Sequence, residues 1–113
     1  MTFLMVALGA AIGAPLRYLA GQLFPEPWGT LTVNVVGSLI LGVVLGLPLS
    51  PSLTALLGTG FCGALTTYST FSWETLAMAR RGERAAALRY VTLSVSLGLG
   101  AAWLAQTLTH WYA

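Results

Sequence analysis

With 57% hydrophobic and only 7% charged residues, a chain of 113 residues lacks the polar surface that a water-soluble domain needs, since such domains carry about 25% charged side chains. A net charge of +2, resting on five scattered arginines, is too little to bind nucleic acid. Lipid is the solvent that tolerates this composition, and only helices and closed barrels satisfy their backbone there. The apolar runs are continuous rather than alternating, which selects helices. The expected architecture is an all-α membrane protein, one domain over residues 1–113, with four transmembrane helices.

The first segment runs from about Thr2 to Phe24 and stops at Pro25 and Pro27, because proline cannot continue a helix. No basic residue precedes its apolar run and further hydrophobic segments follow, so it reads as an uncleaved first helix rather than a signal peptide. The second runs from about Trp28 to Leu47 and stops at Pro48-Leu49-Ser50-Pro51. The third starts near Ser52 and reaches about Ala79. The fourth runs from about Arg84 to Trp111. Each has about the 20 residues that a crossing requires. The connecting loops are short, so neighbouring helices are antiparallel. Gly9 with Gly13, and Gly42 with Gly46, have the four-residue spacing that lets helix backbones approach closely. Trp28, Trp111 and Tyr112 fall at segment ends, where aromatic side chains anchor to the membrane interface. Cys62, the single cysteine, lies in an apolar run and reads as a small packing residue.

The third segment departs from a plain span. Its centre runs from Gly60 through Ser72 and is crowded with glycine, serine and threonine. Hydroxyls compete for backbone groups, and glycine permits non-helical dihedrals. A break is therefore predicted between about Gly63 and Tyr68, near the bilayer midplane. Irregular backbone at that depth survives only against protein or a water-filled path. It would aim carbonyls and amides at one point, which suits an ion.

Several polar residues are costly in lipid. Arg17 lies in the last turns of the first segment; an arginine at mid-span costs about 2.5–3.5 kcal/mol on insertion scales. It either snorkels to the headgroups or draws anions to a pore mouth. Thr30, Asn34 and Ser38 share one face of the second helix. They serve either as interhelical glue or as a track of N–H and O–H donors for an anion. Tyr68 and Phe71, three apart, present either ordinary core packing or two electropositive ring edges. Tyr90 and Ser94 are four apart on the fourth helix. Glu74 sits one turn beyond Phe71, as a solvated helix end or a functional charge. One histidine, His110, and one cysteine cannot build a metal or nucleophile site, and no phosphate-binding loop is present. Nothing here points to an enzyme.

At these positions the chain resembles the Fluc/CrcB-type fluoride channel family. The matching stretches are Gly9 through Tyr18, Gly29 through Ser38 and Gly60 through Ser72. The string Thr66-Thr67-Tyr68-Ser69-Thr70-Phe71-Ser72, combined with Thr30-x-x-x-Asn34, is the most specific part. The resemblance implies a dual-topology dimer of antiparallel subunits, passing fluoride passively through two pores across the cytoplasmic (inner) membrane. It implies a pathway lined by Asn34, Tyr68 and Phe71, with a polar track from Tyr90 and Ser94 and with Arg17 and Glu74 as vestibule charges; Thr30, Ser38, Ser69 and Thr70 are the further candidate donors for that pathway. It also implies a structural sodium ion at the dimer interface, on the backbone carbonyls of Gly63 and Thr66, and no organic cofactor. Three departures stand out. Tyr68 replaces the usual phenylalanine, Ala64 replaces a common second glycine, and Gly98 continues the Tyr90–Ser94 spacing without a side chain.

The expected partners are fluoride, membrane lipid and a second copy of the chain. An oppositely oriented paralogue is the alternative partner, because Arg80, Arg81, Arg84 and Arg89 all lie near the loop between segments three and four. By the positive-inside rule that bias places the termini outside. Two other functions fit the sequence less well. A small drug or cation exporter needs an acidic residue within a span, and the first helix has none. A non-transporting assembly subunit leaves the alignment of Thr30, Asn34 and Ser38 unexplained.

Overall fold

The computed structural model describes residues 2–112. Helix α1 spans Thr2–Leu23 and α2 spans Trp28–Gly46. The third segment is a composite. It opens with a short α3, Pro51–Thr54, passes into a π-helical stretch, Ala55–Cys62, and closes with one α-turn, α4, Gly63–Leu65. After an interruption at Thr66 and Thr67 the chain resumes as α5, Tyr68–Arg80. Helix α6, Arg84–Tyr112, completes the order. Among the described residues there is no strand.

The ends follow local chemistry. Ser50 caps α3 by accepting the Leu53 N–H, with Pro51 at the first helical position, where its missing N–H costs nothing. Helix α5 stops at Gly82, whose φ of +81° needs a glycine. The N–H groups of Gly82 and Glu83 donate back to the carbonyls of Ala79 and Met78, a paired C-terminal stop. Pro15 lies inside α1 without ending it. Proline is tolerated within membrane helices, where neighbouring groups satisfy the freed backbone.

Helices α1, α2 and α6 are each long and apolar enough to cross a membrane. Their surfaces carry large exposed apolar side chains, such as Phe3, Leu99 and Trp103. Helix α1 packs on the π-helical stretch, while α2 packs on α6. Glycine sets both contacts. A Cβ on Gly9 or Gly13 would strike the backbone of the π-helical stretch, at Leu56 and Phe61. One on Gly42 would strike the Ala102 carbonyl, and one on Gly46 would crowd Thr109. Backbone cannot move aside as a side chain can. Gly9→Val and Gly42→Val are therefore each expected to cost at least the roughly 1–3 kcal/mol of an overpacked core. Loss of the monodisperse size-exclusion peak would show it. Gly21→Ala meets open space and should leave that peak unchanged.

Candidate functional site

The break gathers the polar residues. Thr66 turns extended (φ −80°, ψ 160°), and Thr67 follows (φ −149°, ψ 121°), so the chain leaves the helix for two residues. The Thr66 N–H and its hydroxyl both donate to the Cys62 carbonyl, closing the first half. Thr67 caps the second half, its Oγ1 accepting the Thr70 N–H at 3.2 Å. From α2, the Asn34 side chain grips the break itself. Its Oδ1 accepts the Thr67 N–H at 2.8 Å, and its Nδ2 donates to the Thr67 carbonyl at 3.2 Å. One turn on, Gly37 lies so close to the Thr66 side chain that no Cβ would fit between them.

Around this knot lies a groove of about 470 Å³. It brings together six of the residues singled out from sequence: Asn34, Ser38, Gly63, Thr66, Tyr68 and Phe71. The two aromatics diverge. Phe71 is half-buried and its ring centre lies 5.1 Å from that of Tyr90, in tilted contact. Tyr68, its ring centre 6.4 Å from that of Phe71, is 80% exposed among the described residues.

The remaining residues spread over neighbouring spaces. Thr30 is buried and faces a second cavity, of about 210 Å³, together with Arg17, Thr67 and Thr70. The stripe on α2 is thus divided, with Thr30 on one side of the break and Asn34 and Ser38 on the other. Ser69 is exposed. Ser94 has a buried hydroxyl with no partner among the described residues. The space a side chain at Gly98 would enter is bordered by the Ser38 hydroxyl, 3.5 Å from an added Cβ. Glu74 is not the solvated helix end that its position near the terminus of segment three suggested. It is 5% exposed and accepts a 2.8 Å hydrogen bond from the hydroxyl of Tyr90, itself 2% exposed. Thr67 went unnoticed as an individual in the sequence, although a threonine immediately before a resuming helix is a recognisable cap.

Among the described residues no three His, Cys, Asp or Glu side chains converge as metal ligands. What the break offers a cation is neutral carbonyl oxygen. The groove offers an anion the second N–H of Asn34, hydroxyls and ring edges.

These features define a class: a helical membrane protein built around an interrupted segment, with neutral donors and acceptors rather than catalytic groups at its centre. The chain belongs to the family described as CrcB-like protein, Camphor Resistance (CrcB), whose family model matches residues 4–106. Among its relatives is the fluoride-specific ion channel FluC 2 of Rhodococcus jostii. It is 50% identical over 113 residues, covering 96% of this chain and 99% of the relative. FluC 1 of Streptomyces avermitilis is 47% identical over 122 residues, with 96% and 98% covered. FluC 1 of Thermobifida fusca is 42% identical over 118 residues, with 99% and 98% covered.

Proposed function

We propose that this chain forms a passive, fluoride-selective channel that relieves the cell of fluoride across its inner membrane. The observation that carries the reading is the groove at the break, where an amide, hydroxyls and aromatic edges meet with no fixed charge among them. Such groups can replace water around a small anion one weak contact at a time. A selective pore needs that, because an ion held too tightly cannot leave. The family relatives, named as fluoride channels over nearly their full length, give the anion its identity.

The working unit is an antiparallel homodimer with two pathways, and the composite third segment makes the fourth crossing. Tyr68 supports this, since a tyrosine left 80% exposed beside a groove is a surface awaiting another chain. Thr30, Asn34, Ser38, Ser69, Thr70 and Ser94 supply donors along the pathway, while Tyr90, its hydroxyl committed to Glu74, backs the Phe71 ring. Tyr68 and Phe71 supply ring edges. Arg17 attracts the anion at the entrance and Glu74 shapes the vestibule through Tyr90. A sodium ion at the twofold axis fits the donor set. The Gly63 and Thr66 carbonyls of two chains make four hard neutral oxygens, which match a hard monovalent cation. Bound there, it would hold the two interruptions together.

The test is efflux from liposomes loaded with fluoride or chloride. Rapid fluoride release without a proton gradient, and little chloride release, is expected. Comparable chloride flux, or a requirement for a proton gradient, would overturn the reading. Crosslinking should trap an active dimer, and only active monomers would contradict the assembly.

A further inference from the structure

Two hydrogen bonds at the break belong to no helix ladder. The Thr67 N–H donates to Asn34 Oδ1, and the Thr70 N–H donates to Thr67 Oγ1. In an unbroken α-helix these same two N–H groups would close on the carbonyls four residues back. Those carbonyls belong to Gly63 and Thr66. Neither the Thr67-to-Gly63 nor the Thr70-to-Thr66 backbone bond is formed among the described residues. Each of the two oxygens assigned to the cation has thus lost its helical donor to a side chain.

We propose that Asn34 and Thr67 are positioning residues for the cation: by holding the N–H groups of Thr67 and Thr70, they free the carbonyls of Gly63 and Thr66 to coordinate it. This rests on the sodium reading above and adds how the site is made. The physical case is one of competition. A buried N–H in an apolar surrounding must find an acceptor, and Thr67 is buried. With Asn34 Oδ1 in reach, its acceptor is a side chain 33 residues away. Without it, the nearest remedy is the Gly63 carbonyl, and taking that remedy extends the helix and consumes a cation ligand. The Asn34 Nδ2 bond to the Thr67 carbonyl holds the same peptide from its other side. The close approach at Gly37 lets α2 come near enough for both. Since Asn34 also lines the groove, one side chain serves both the cation site and the anion path.

The experiment is thermal unfolding of the purified full chain in detergent. Sodium chloride is titrated against N-methyl-D-glucamine chloride at constant ionic strength. Amide hydrogen exchange is followed in parallel on peptides covering residues 63–70. In the wild type, sodium is expected to raise the melting temperature by several degrees and slow exchange at the break. Asn34→Leu keeps the bulk and removes the acceptor, so the sodium-dependent rise should largely vanish. Thr67→Val removes the cap on Thr70 and should weaken apparent sodium affinity about tenfold, the scale of one lost hydrogen bond. Asn34→Asp retains an oxygen for the Thr67 N–H. It should keep the sodium response while losing fluoride flux, because it adds an acid to the anion path. A residue that merely packs or lines the pore would lower the melting temperature equally in both salts. Asn34→Leu or Thr67→Val with the full sodium increment would overturn the proposal. If Asn34→Leu does not fold, Thr67→Val decides alone. If the wild type itself ignores sodium, the cation reading falls first and takes this proposal with it. A responsive wild type with responsive variants removes this proposal only.

Discussion

Phe71→Ile is expected to remove at least nine-tenths of fluoride flux from a protein that still folds. Phe71 lies on the groove, half-buried, with its ring tilted against Tyr90 at 5.1 Å. Isoleucine keeps apolar bulk there, so packing on Tyr90 changes little. What disappears is the ring edge, whose C–H groups carry partial positive charge toward an anion. Tyr68 is the natural comparison. Its hydroxyl has no partner among the described residues, and the side chain is 80% exposed. Tyr68→Phe deletes only that hydroxyl and should conduct at least as well as the wild type. Both variants are measured by liposome efflux after size-exclusion has confirmed intact protein. Near-normal flux from Phe71→Ile, or a silent Tyr68→Phe, would mean the two rings have been assigned the wrong roles.

The second large effect is expected at the buried pair on α5 and α6. Tyr90 donates to Glu74 across 2.8 Å, and both side chains are almost wholly enclosed. Tyr90→Phe leaves a buried carboxyl group without that donor, which costs about 1–3 kcal/mol and more if the group is charged. Glu74→Leu strands the Tyr90 hydroxyl instead. Each single variant should unfold at clearly lower temperature. The double variant removes both polar groups together, so its loss should be smaller than the sum of the two. Strictly additive losses would show that the hydrogen bond contributes nothing. Fluoride flux should fall in all three, since the lost hydrogen bond fixes the position of the ring against which Phe71 packs.

How much of this was legible beforehand depended on the range of the interaction. Prolines at 25, 27, 48 and 51 act locally, and the first two segments end where those residues require. The break was also legible, because Gly63 and the hydroxyl run weaken the helix on their own. It falls at Thr66 and Thr67, inside the window from Gly63 to Tyr68. The glycine pairs declared close packing, though not which backbone each would meet. By contrast, the π-helical stretch Ala55–Cys62 has no periodic signature in so apolar a segment. Its backbone lies against Gly9 and Gly13, a contact made only in the folded chain. Asn34 stood out as polar in a span, but its grip on Thr67 joins residues 33 apart and emerges only once α2 is docked. Glu74 shows the same limit. Its position near a helix end suggested solvent, and the burying partner, Tyr90, comes from another helix.

The most direct measurement of the central claim is the reversal potential of purified protein in a planar bilayer, with fluoride on one side and an equal concentration of chloride on the other. Passive, fluoride-selective conduction sets the zero-current voltage far from zero, toward the fluoride equilibrium potential that opposes fluoride moving down its gradient, and unchanged when a pH difference is imposed. A reversal near zero, a shift toward the chloride equilibrium potential, or a current that appears only with a proton gradient would contradict it.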